Sequence, residues 1–502
     1  MKRFPSLLLA LCSVTGLSAQ QTQPSQQPQA PQQTQQPVPF TVEDAIALAL
    51  RNNPEYLQAV NQRRSAVAAR RAAMGGLLPQ LSANLTGQYQ QGGRQIMSGT
   101  ELGANADVLQ SSYSIGLTYH LNRATFLTPR VERANAEAIE SDIAGATEAL
   151  RAMIRQSYLN VLQSQARLAL QDSLVASAQA QLELAKGRAA VGAGTQLDAQ
   201  RAEVALGQQR VQRLQAQNQL EIDKLTLFQQ IGLSQPGYVT FTSTFTISDN
   251  IPTLHELLEM AKRQNPNLSA LRSRERAASL NVSRARSDYL PSFSLSTGIG
   301  GYTFQYRDSE FPVNQQRAQI EASRASCLRT EEVRRELGLP NSYDACNQIA
   351  FTPQMAASIR SANSAFPFNF TNAPRSISAQ LSLPLFDGFS REQRVQEAVV
   401  QRENARHAAR ARELAVMNDV TTAYLRLQTA RQTVTLQEQN AAAAREELTL
   451  TQEQYAVGLA TFVDVATSRA TYAQAESDRI NAIYEYHKAF AALENALGRS
   501  LR

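Results

Sequence analysis

The feature that most constrains this chain is that it is written twice. Thr41, Asn53-Pro54 and Leu78-Pro79 recur as Thr253, Asn265-Pro266 and Leu290-Pro291, each 212 residues later with no gap between them. Tyr158, Val191-Gly192, Thr195, Asp198 and Gly232 recur as Tyr424, Val457-Gly458, Thr461, Asp464 and Gly498, each 266 residues later. Two long gapless registers of this kind mean duplicated structure. The offset grows because the second copy carries a longer segment between its strands. The first repeat is placed at residues 40–235, an inter-repeat linker at about 236–252, and the second repeat at 253–502.

Each copy orders its elements alike. A helix with apolar stripes comes first, Thr41 to Leu78 or Thr253 to Leu290; Asn-Pro breaks or kinks it near its start and Pro79 or Pro291 stops it. The next segment alternates with period two. Leu81, Ala83, Leu85 and Tyr89 face one way, as do Tyr113, Ile115, Leu117, Tyr119 and Leu121, with Ser, Thr, Asn and Gln between them. Phe293, Leu295 and Ile299, then Ile377, Ala379, Leu381, Leu383 and Leu385, repeat the pattern in the second copy. About ten residues is the length a tilted strand needs to cross a bilayer, and apolar-out, polar-in alternation suits a wall between lipid and water. A soluble sandwich face is the alternative; the N-terminal export signal, the aromatic strand ends and the long loops favour a barrel. Four strands cannot enclose water, and lipid does not tolerate open edges, so other subunits must complete the barrel.

After each strand pair the chain becomes helical for very long stretches: about Arg130 to Ala190, Thr195 to Ile231, Arg391 to Val457 and Thr461 to Leu497. Ala, Gln, Glu, Arg and Leu dominate, and proline is absent from these interiors. The longest should reach roughly 90–100 Å. One seam runs through Ile154, Tyr158, Val161, Leu168, Val175 and Leu182; a second, smaller one through Leu159, Leu162, Ala166, Ala169, Ser173, Ala176 and Ala180. Val420, Tyr424, Leu427, Val434, Ala441 and Leu448 duplicate the first. Two seams imply a neighbour on each side, which suits the wall of a cylinder; a plain bundle with a dry core is the alternative. Leu162, Ala166 and Ala169 become Gln428, Gln432 and Thr435 in the second copy, so the repeats share a backbone plan and not a surface chemistry.

The first 19 residues read as a signal peptide, with Lys2 and Arg3 before Leu7 to Leu11; Cys12 follows the bulky Leu11, which disfavours lipidation. Residues 20–39, rich in Gln and Pro, read as a disordered tether. Removing Lys2 and Arg3 takes the formal net charge from +6 to +4, and the Arg402, Arg406 and Arg410 stripe reads as a solvated helix face, not a nucleic-acid site. Cys327 and Cys346 fall together in a long loop at about 307–372, placed outside the cell; export favours a disulfide, and two sulfurs with no nearby His fall short of a zinc site. His120, His255, His407 and His487 are scattered, and no phosphate loop or nucleophile motif is present, so neither an enzyme nor a cofactor or metal is expected.

The helix-turn-helix tips read Val191-Gly192-Ala193-Gly194-Thr195-Gln196-Leu197-Asp198 and Val457-Gly458-Leu459-Ala460-Thr461-Phe462-Val463-Asp464. Gly can end one helix, and Thr with Asp three residues on can cap the next, so capping alone is one account of these residues. Together with the paired Asn-Pro starts and Leu383-Pro384-Leu385-Phe386-Asp387-Gly388, these tips resemble the TolC family of outer-membrane efflux proteins, over residues from about 40 to 500. The resemblance implies a mainly α chain with transmembrane β structure: long coiled-coil hairpins plus four strands per protomer. A homotrimer then completes a 12-stranded barrel in outer-membrane lipid and an α-helical periplasmic tunnel. It implies that Val191, Gly192, Thr195, Val457, Gly458 and Leu459 meet a periplasmic adaptor linked to an inner-membrane transporter. It also implies that Asp464, Asp198 and Tyr455, with Thr461, form the pore constriction. The match is incomplete: Ala460 and Thr467 stand where the family's best-known member has an arginine of the gating network and a second aspartate of the ring. Three Asp464 carboxylates around one axis would favour cations, and crowding should raise their pKa values. Protein secretion of type I, or a secreted coiled-coil scaffold without a channel, are the competing functions.

Overall fold

The computed structural model describes residues 38–97, 100–104, 106–235, 239–247, 251–340 and 342–501. Residues 1–37, which hold the segment read as a signal peptide, Cys12 and most of the segment read as a tether, lie outside the described residues. The first half runs β1 (Val38–Phe40), α1 (Val42–Asn52), α2 (Pro54–Gly75), β2 (Gln80–Gln90), β3 (Arg94–Met97), β4 (Thr100–Ala104), β5 (Val108–Leu121), α3 (Arg123–Ala190) and α4 (Gln196–Ile231). After β6 (Val239–Phe241), the second half runs α5 (Leu254–Gln264), α6 (Pro266–Arg286) and β7 (Ser292–Tyr306). Then come α7 (Glu310–Glu336), α8 (Tyr343–Asn347), α9 (Pro353–Ala362), β8 (Thr371–Asn372), β9 (Ser376–Ser382), α10 (Ser390–Ala456) and α11 (Phe462–Leu497).

Two helices, α3 with 68 residues and α10 with 67, run the whole length of the helical layer, about 100 Å at 1.5 Å per residue. Between and beside them are rods made of two helices end to end. Both α2 and α4 pack along α3, and both α6 and α11 pack between α3 and α10. The duplicated Asn-Pro and Gly residues make the joints. Asn53 Nδ2 donates to the Gln230 carbonyl at the end of α4 (2.7 Å), while its Oδ1 accepts from the Tyr56 N–H at the start of α2 (2.8 Å). Asn265 does the same between the Ala496 carbonyl (3.0 Å) and the Leu268 N–H (3.1 Å). One amide thus satisfies an orphan carbonyl of one helix and an orphan donor of the next. Gly232 closes α4 with φ +86, and a Cβ there would sit 2.5 Å from the Asn52 carbonyl oxygen. The Asn-Pro pairs therefore break the opening helical segment of each copy into two helices, and in the first copy that segment ends at Gly75, not Leu78.

An aromatic core locks this equator. The three-residue strands β1 and β6 pair in parallel. Phe40, Tyr158, Phe228 and Phe241 pack there, and the Tyr158 hydroxyl donates to the Phe40 carbonyl (2.6 Å). Val38 and Pro39 thus belong to a strand, not to a tether, and the inter-repeat segment contributes β6 to the same sheet. The second repeat has its own core, where Leu257, Val420, Leu427, Tyr486, Leu493 and Leu497 meet.

Two helical expectations are corrected. α3 begins at Arg123 behind the Asn122 cap, so Pro129 lies inside it, near enough to the N-terminus to remove few ladder bonds. The larger seam packs as read, but the smaller one drifts. Leu159 is buried, yet Ala169, Ser173, Ala176 and Ala180 are exposed, while Leu170, Leu174, Ala178 and Gln181 are buried in their place. A strict heptad walks off a straight helix, and contact with α11 follows the straight helix.

The main sheet has the order β2–β5–β7–β9, all antiparallel, with β8 pairing the upper part of β7. The outward rows Leu85–Tyr113–Gly301, Ala83–Ile115–Ile299 and Leu81–Leu117–Thr297–Ile377 result from the register. β9 stops at Ser382, so Leu383 and Leu385 lie beyond it; Pro384 cannot donate to a ladder. Residues 307–372 are not an irregular loop. They form a helical hairpin, α7 returning through α8 and α9, joined by a Cys327–Cys346 disulfide with Cα atoms 5.6 Å apart. Arg360 and Glu310 pair at its base (2.6 Å), and Ser342 N–H binds Glu331 (2.7 Å).

Candidate functional site

The two helical hairpins end in tips with matching backbone solutions. At the first, Gly192 takes φ +74, its N–H donates to Ala189 O (3.2 Å), and Ala193 N–H donates to Arg188 O (2.9 Å). At the second, Gly458 takes φ +84, its N–H donates to Tyr455 O (3.1 Å), and Leu459 N–H donates to Gln454 O (2.8 Å). Both are Schellman ends, which require the left-handed residue that glycine supplies. Thr461 then caps α11 in a complete capping box with Asp464, whose Oδ2 accepts from the Thr461 N–H (2.8 Å) and hydroxyl (2.7 Å). Thr195 caps α4: its hydroxyl oxygen accepts from the Asp198 N–H (3.1 Å) and its hydroxyl donates to Asp198 Oδ2 (2.8 Å).

The structure brings the tips together through a residue that sequence reasoning missed. Arg188, in the last turn of α3, reaches across to α10 and donates to the Tyr455 and Ala456 carbonyls, the latter at 3.2 Å. Its other arm donates to Ala193 O in its own turn (3.1 Å), and its guanidinium lies 4.9 Å from the centre of the Tyr455 ring. A cation placed between two helix C-termini is favoured by both dipoles and by the ring face. The only sequence cue was an arginine in a last helical turn whose duplicate is Gln454. Its partners on α10 are 267 and 268 residues away, so spacing could not reveal them.

Tyr455 itself is 5% exposed, packed on Phe462 and into a core with Leu182, Ala185, Leu206 and Val465. It therefore braces the two hairpins within the protomer. Burial first, then the Asp198 charge, raises its phenol pKa, against the pull of Arg188. Asp464 is exposed, and hydrogen bonds from Thr461 hold its carboxyl below the usual range. That is opposite to the expected effect of crowding, because within one protomer the cap is its nearest influence. Asp198 is half-buried, 3.9 Å from Arg201. Val191 (79% exposed), Leu459 (81%), Val457 and Leu197 leave an apolar surface at the point of the tips.

Both layers end in open edges on both sides. The sheet stops at β2 and β9, each exposed along its whole length. The lower helices run in the order α4–α3–α11–α10. Away from their neighbours, α4 exposes Val204, Val211, Leu214, Ile222 and Leu225, and α10 exposes Leu414, Leu425 and Leu436 at intervals of 11 residues. Apolar stripes on terminal helices are surfaces without a partner in the protomer.

Comparison with known proteins bears on this arrangement. The family model described as outer membrane efflux protein matches residues 45–233 and 345–499, covering both pairs of long helices and both tips. The chain belongs to the outer membrane efflux protein family. The unmatched stretch between contains most of the helical hairpin. The outer membrane protein TolC of Vibrio cholerae serotype O1 is 26% identical over 257 residues, 51% of this chain and 56% of that protein. The toluene efflux pump outer membrane protein TtgF of Pseudomonas putida is 26% identical over 272 residues, 52% of this chain and 54% of that protein. The chain thus spans about half the length of the curated relatives it matches. Among solved structures, the outer-membrane channel OprN superposes with a TM-score of 0.68 at 16% identity, covering 91% of this chain and 90% of that one. VceC from Vibrio cholerae gives 0.65 at 16% identity, covering 92% and 97%. The fold of these channels therefore extends over about nine-tenths of the chain, well beyond what the family model matches.

Proposed function

We propose that this chain is the outer-membrane exit duct of a tripartite efflux system and works as a homotrimer. The observation that carries the reading is the pair of open edges at each level. Four strands and four helix rods form an arc, unclosed at the sheet and at the helices alike, with apolar side chains left facing outward. Three arcs give a 12-stranded barrel whose outward rows meet lipid, continued by a helical tunnel through the periplasm. The exposed apolar tips, Val191, Gly192 and Thr195 with Val457, Gly458 and Leu459, fit a periplasmic adaptor connected to an inner-membrane transporter.

In this reading the tips are the gate. Asp464 and Asp198 supply negative charge at the entrance, Thr461 holds Asp464 in place, and Arg188 with Tyr455 braces the hairpins that must part. Transport is passive and no residue performs chemistry. Purified protein in planar bilayers should show discrete cation-preferring channels, with the preference reduced in Asp464→Ala. Absence of conductance from a detergent-stable oligomer would remove the reading.

A further inference from the structure

The outward face of the sheet has a flaw that the aromatic segment Phe366-Pro367-Phe368-Asn369-Phe370 repairs. One row above Leu85–Tyr113–Gly301 the register places Gly87, Ser111 and Thr303 on the same face as the lipid-directed side chains. Two hydroxyls in hydrocarbon would be costly if left bare. They are instead 6% and 2% exposed and hydrogen-bonded to each other (2.7 Å). The Ser111 hydroxyl also donates to the Pro367 carbonyl (2.5 Å). The Phe370 ring lies 4.9 Å from that of Tyr113, and Gly301 makes room: a Cβ there would be 2.6 Å from the Tyr113 ring and 3.2 Å from Phe370 Cβ. Gln305 anchors the start of the segment by accepting from the Phe366 N–H (2.9 Å). The segment is thus a strap across the outside of the wall. It covers β7 where β9, with 7 residues against 15, no longer reaches.

Resting on the channel reading, we propose that this strap is a lipid-binding element seated at the boundary between acyl chains and headgroups of the outer leaflet, with Phe368 as its inserted side chain. Phe368 is 72% exposed, whereas the rings of Phe366 and Phe370 on either side of it are half-buried. From Phe293 at the base to Thr303 under the strap is ten residues, about 33 Å along the strand and about 25 Å along the membrane normal at a 40° tilt. That matches the height of an outward apolar band, so the strap falls where aromatic side chains collect. Phe386 and Phe389 are exposed beyond the other end of β9, giving the band an aromatic limit at each end. Above the strap, Tyr89, Asp107 and Arg307 form a polar cluster suited to water and headgroups.

The chain contains no tryptophan, so a single one reports cleanly. Full-length Phe368→Trp, reconstituted in phosphatidylcholine vesicles, should be quenched by lipid brominated near the headgroup end of its chains and resist aqueous iodide. Its emission should lie to the blue of free tryptophan. Quenching by iodide but not bromolipid would place the strap in water and overturn the proposal. Resistance to both would seat Phe368 against a neighbouring subunit and overturn it equally. Leu81→Trp, in the middle of the band, separates the two levels of inference. If it is quenched by bromolipid while Phe368→Trp is not, only the strap proposal fails. If Leu81→Trp is itself untouched by lipid, the barrel reading fails as well.

Discussion

Replacing Arg188 with alanine tests whether the tips are braced as described. The guanidinium supplies hydrogen bonds to the Tyr455, Ala456 and Ala193 carbonyls and a contact with the Tyr455 ring. Charge-assisted hydrogen bonds contribute roughly 1.5–3 kcal/mol each when buried. These carbonyls stand at an exposed tip, where water replaces most of what is lost, so about 2 kcal/mol for the whole contact is a fair scale. That corresponds to about a 30-fold change in the ratio of closed to parted hairpins. Spin labels on Ala193→Cys and Leu459→Cys, both at exposed turns, would read the distance between tips by pulsed electron resonance. Arg188 intact should give one narrow distribution, and Arg188→Ala a broad one extending to longer distances. Arg188→Lys should fall between, since it keeps charge and loses the planar fork. Superimposable distributions for Arg188 and Arg188→Ala would refute the brace.

Other parts of the fold give further expected outcomes. Gly232→Ala should lower the melting temperature more than Asn53→Ala. The first forces a Cβ to 2.5 Å from the Asn52 carbonyl at φ +86, while the second removes two hydrogen bonds worth about 1–2 kcal/mol. Equal melting by circular dichroism would contradict the equatorial joint. Cys327→Ser with Cys346→Ser should loosen the α7–α9 hairpin by about 3 kcal/mol, seen as faster amide exchange there, with conductance unchanged. For Asp464 the carboxyl is held low in the folded protomer, so its cap contributes fully above the ordinary carboxylate value of about 3.9 and is lost as pH falls through the lowered folded value. Cation preference should then be flat from neutral pH to about 5; a midpoint near 6 would show that repulsion between three Asp464 side chains outweighs the cap.

How far the sequence could be read depended on whether a feature was local or repeated. The four strands were legible because alternation at Leu81–Tyr89 or Tyr113–Leu121 needs only neighbours, and the long helices because their formers run uninterrupted. The break at each Asn-Pro and the helix-ending glycines at the tips were legible, but the joint that Asn53 and Gly232 make with the end of α4 was not. Asn53 and Gly232 cooperate across 177 residues or more of chain, through the Gln230 and Asn52 carbonyls. Arg188 was invisible for the same reason. The hairpin at 307–372 was misread because a long connection between strands suggested a loop. Its stretch from Val313 to Glu336 is in fact full of Ala, Gln, Glu and Arg, which are good helix formers. The drifting seam on α3 shows the limit of strict heptad counting over 68 residues.

Closure of the arc by two further copies is best tested by cysteine cross-linking between the two free strand edges. Cysteines at Ser82, Asn84 or Thr86 on β2, each combined with one at Ser376, Ser378 or Gln380 on β9, scan the antiparallel register between neighbouring chains. At least one combination should oxidise into a covalent species that stops at three chains on a non-reducing gel. Chains that stay monomeric in every combination, or a ladder that continues past three, would contradict a closed trimeric duct.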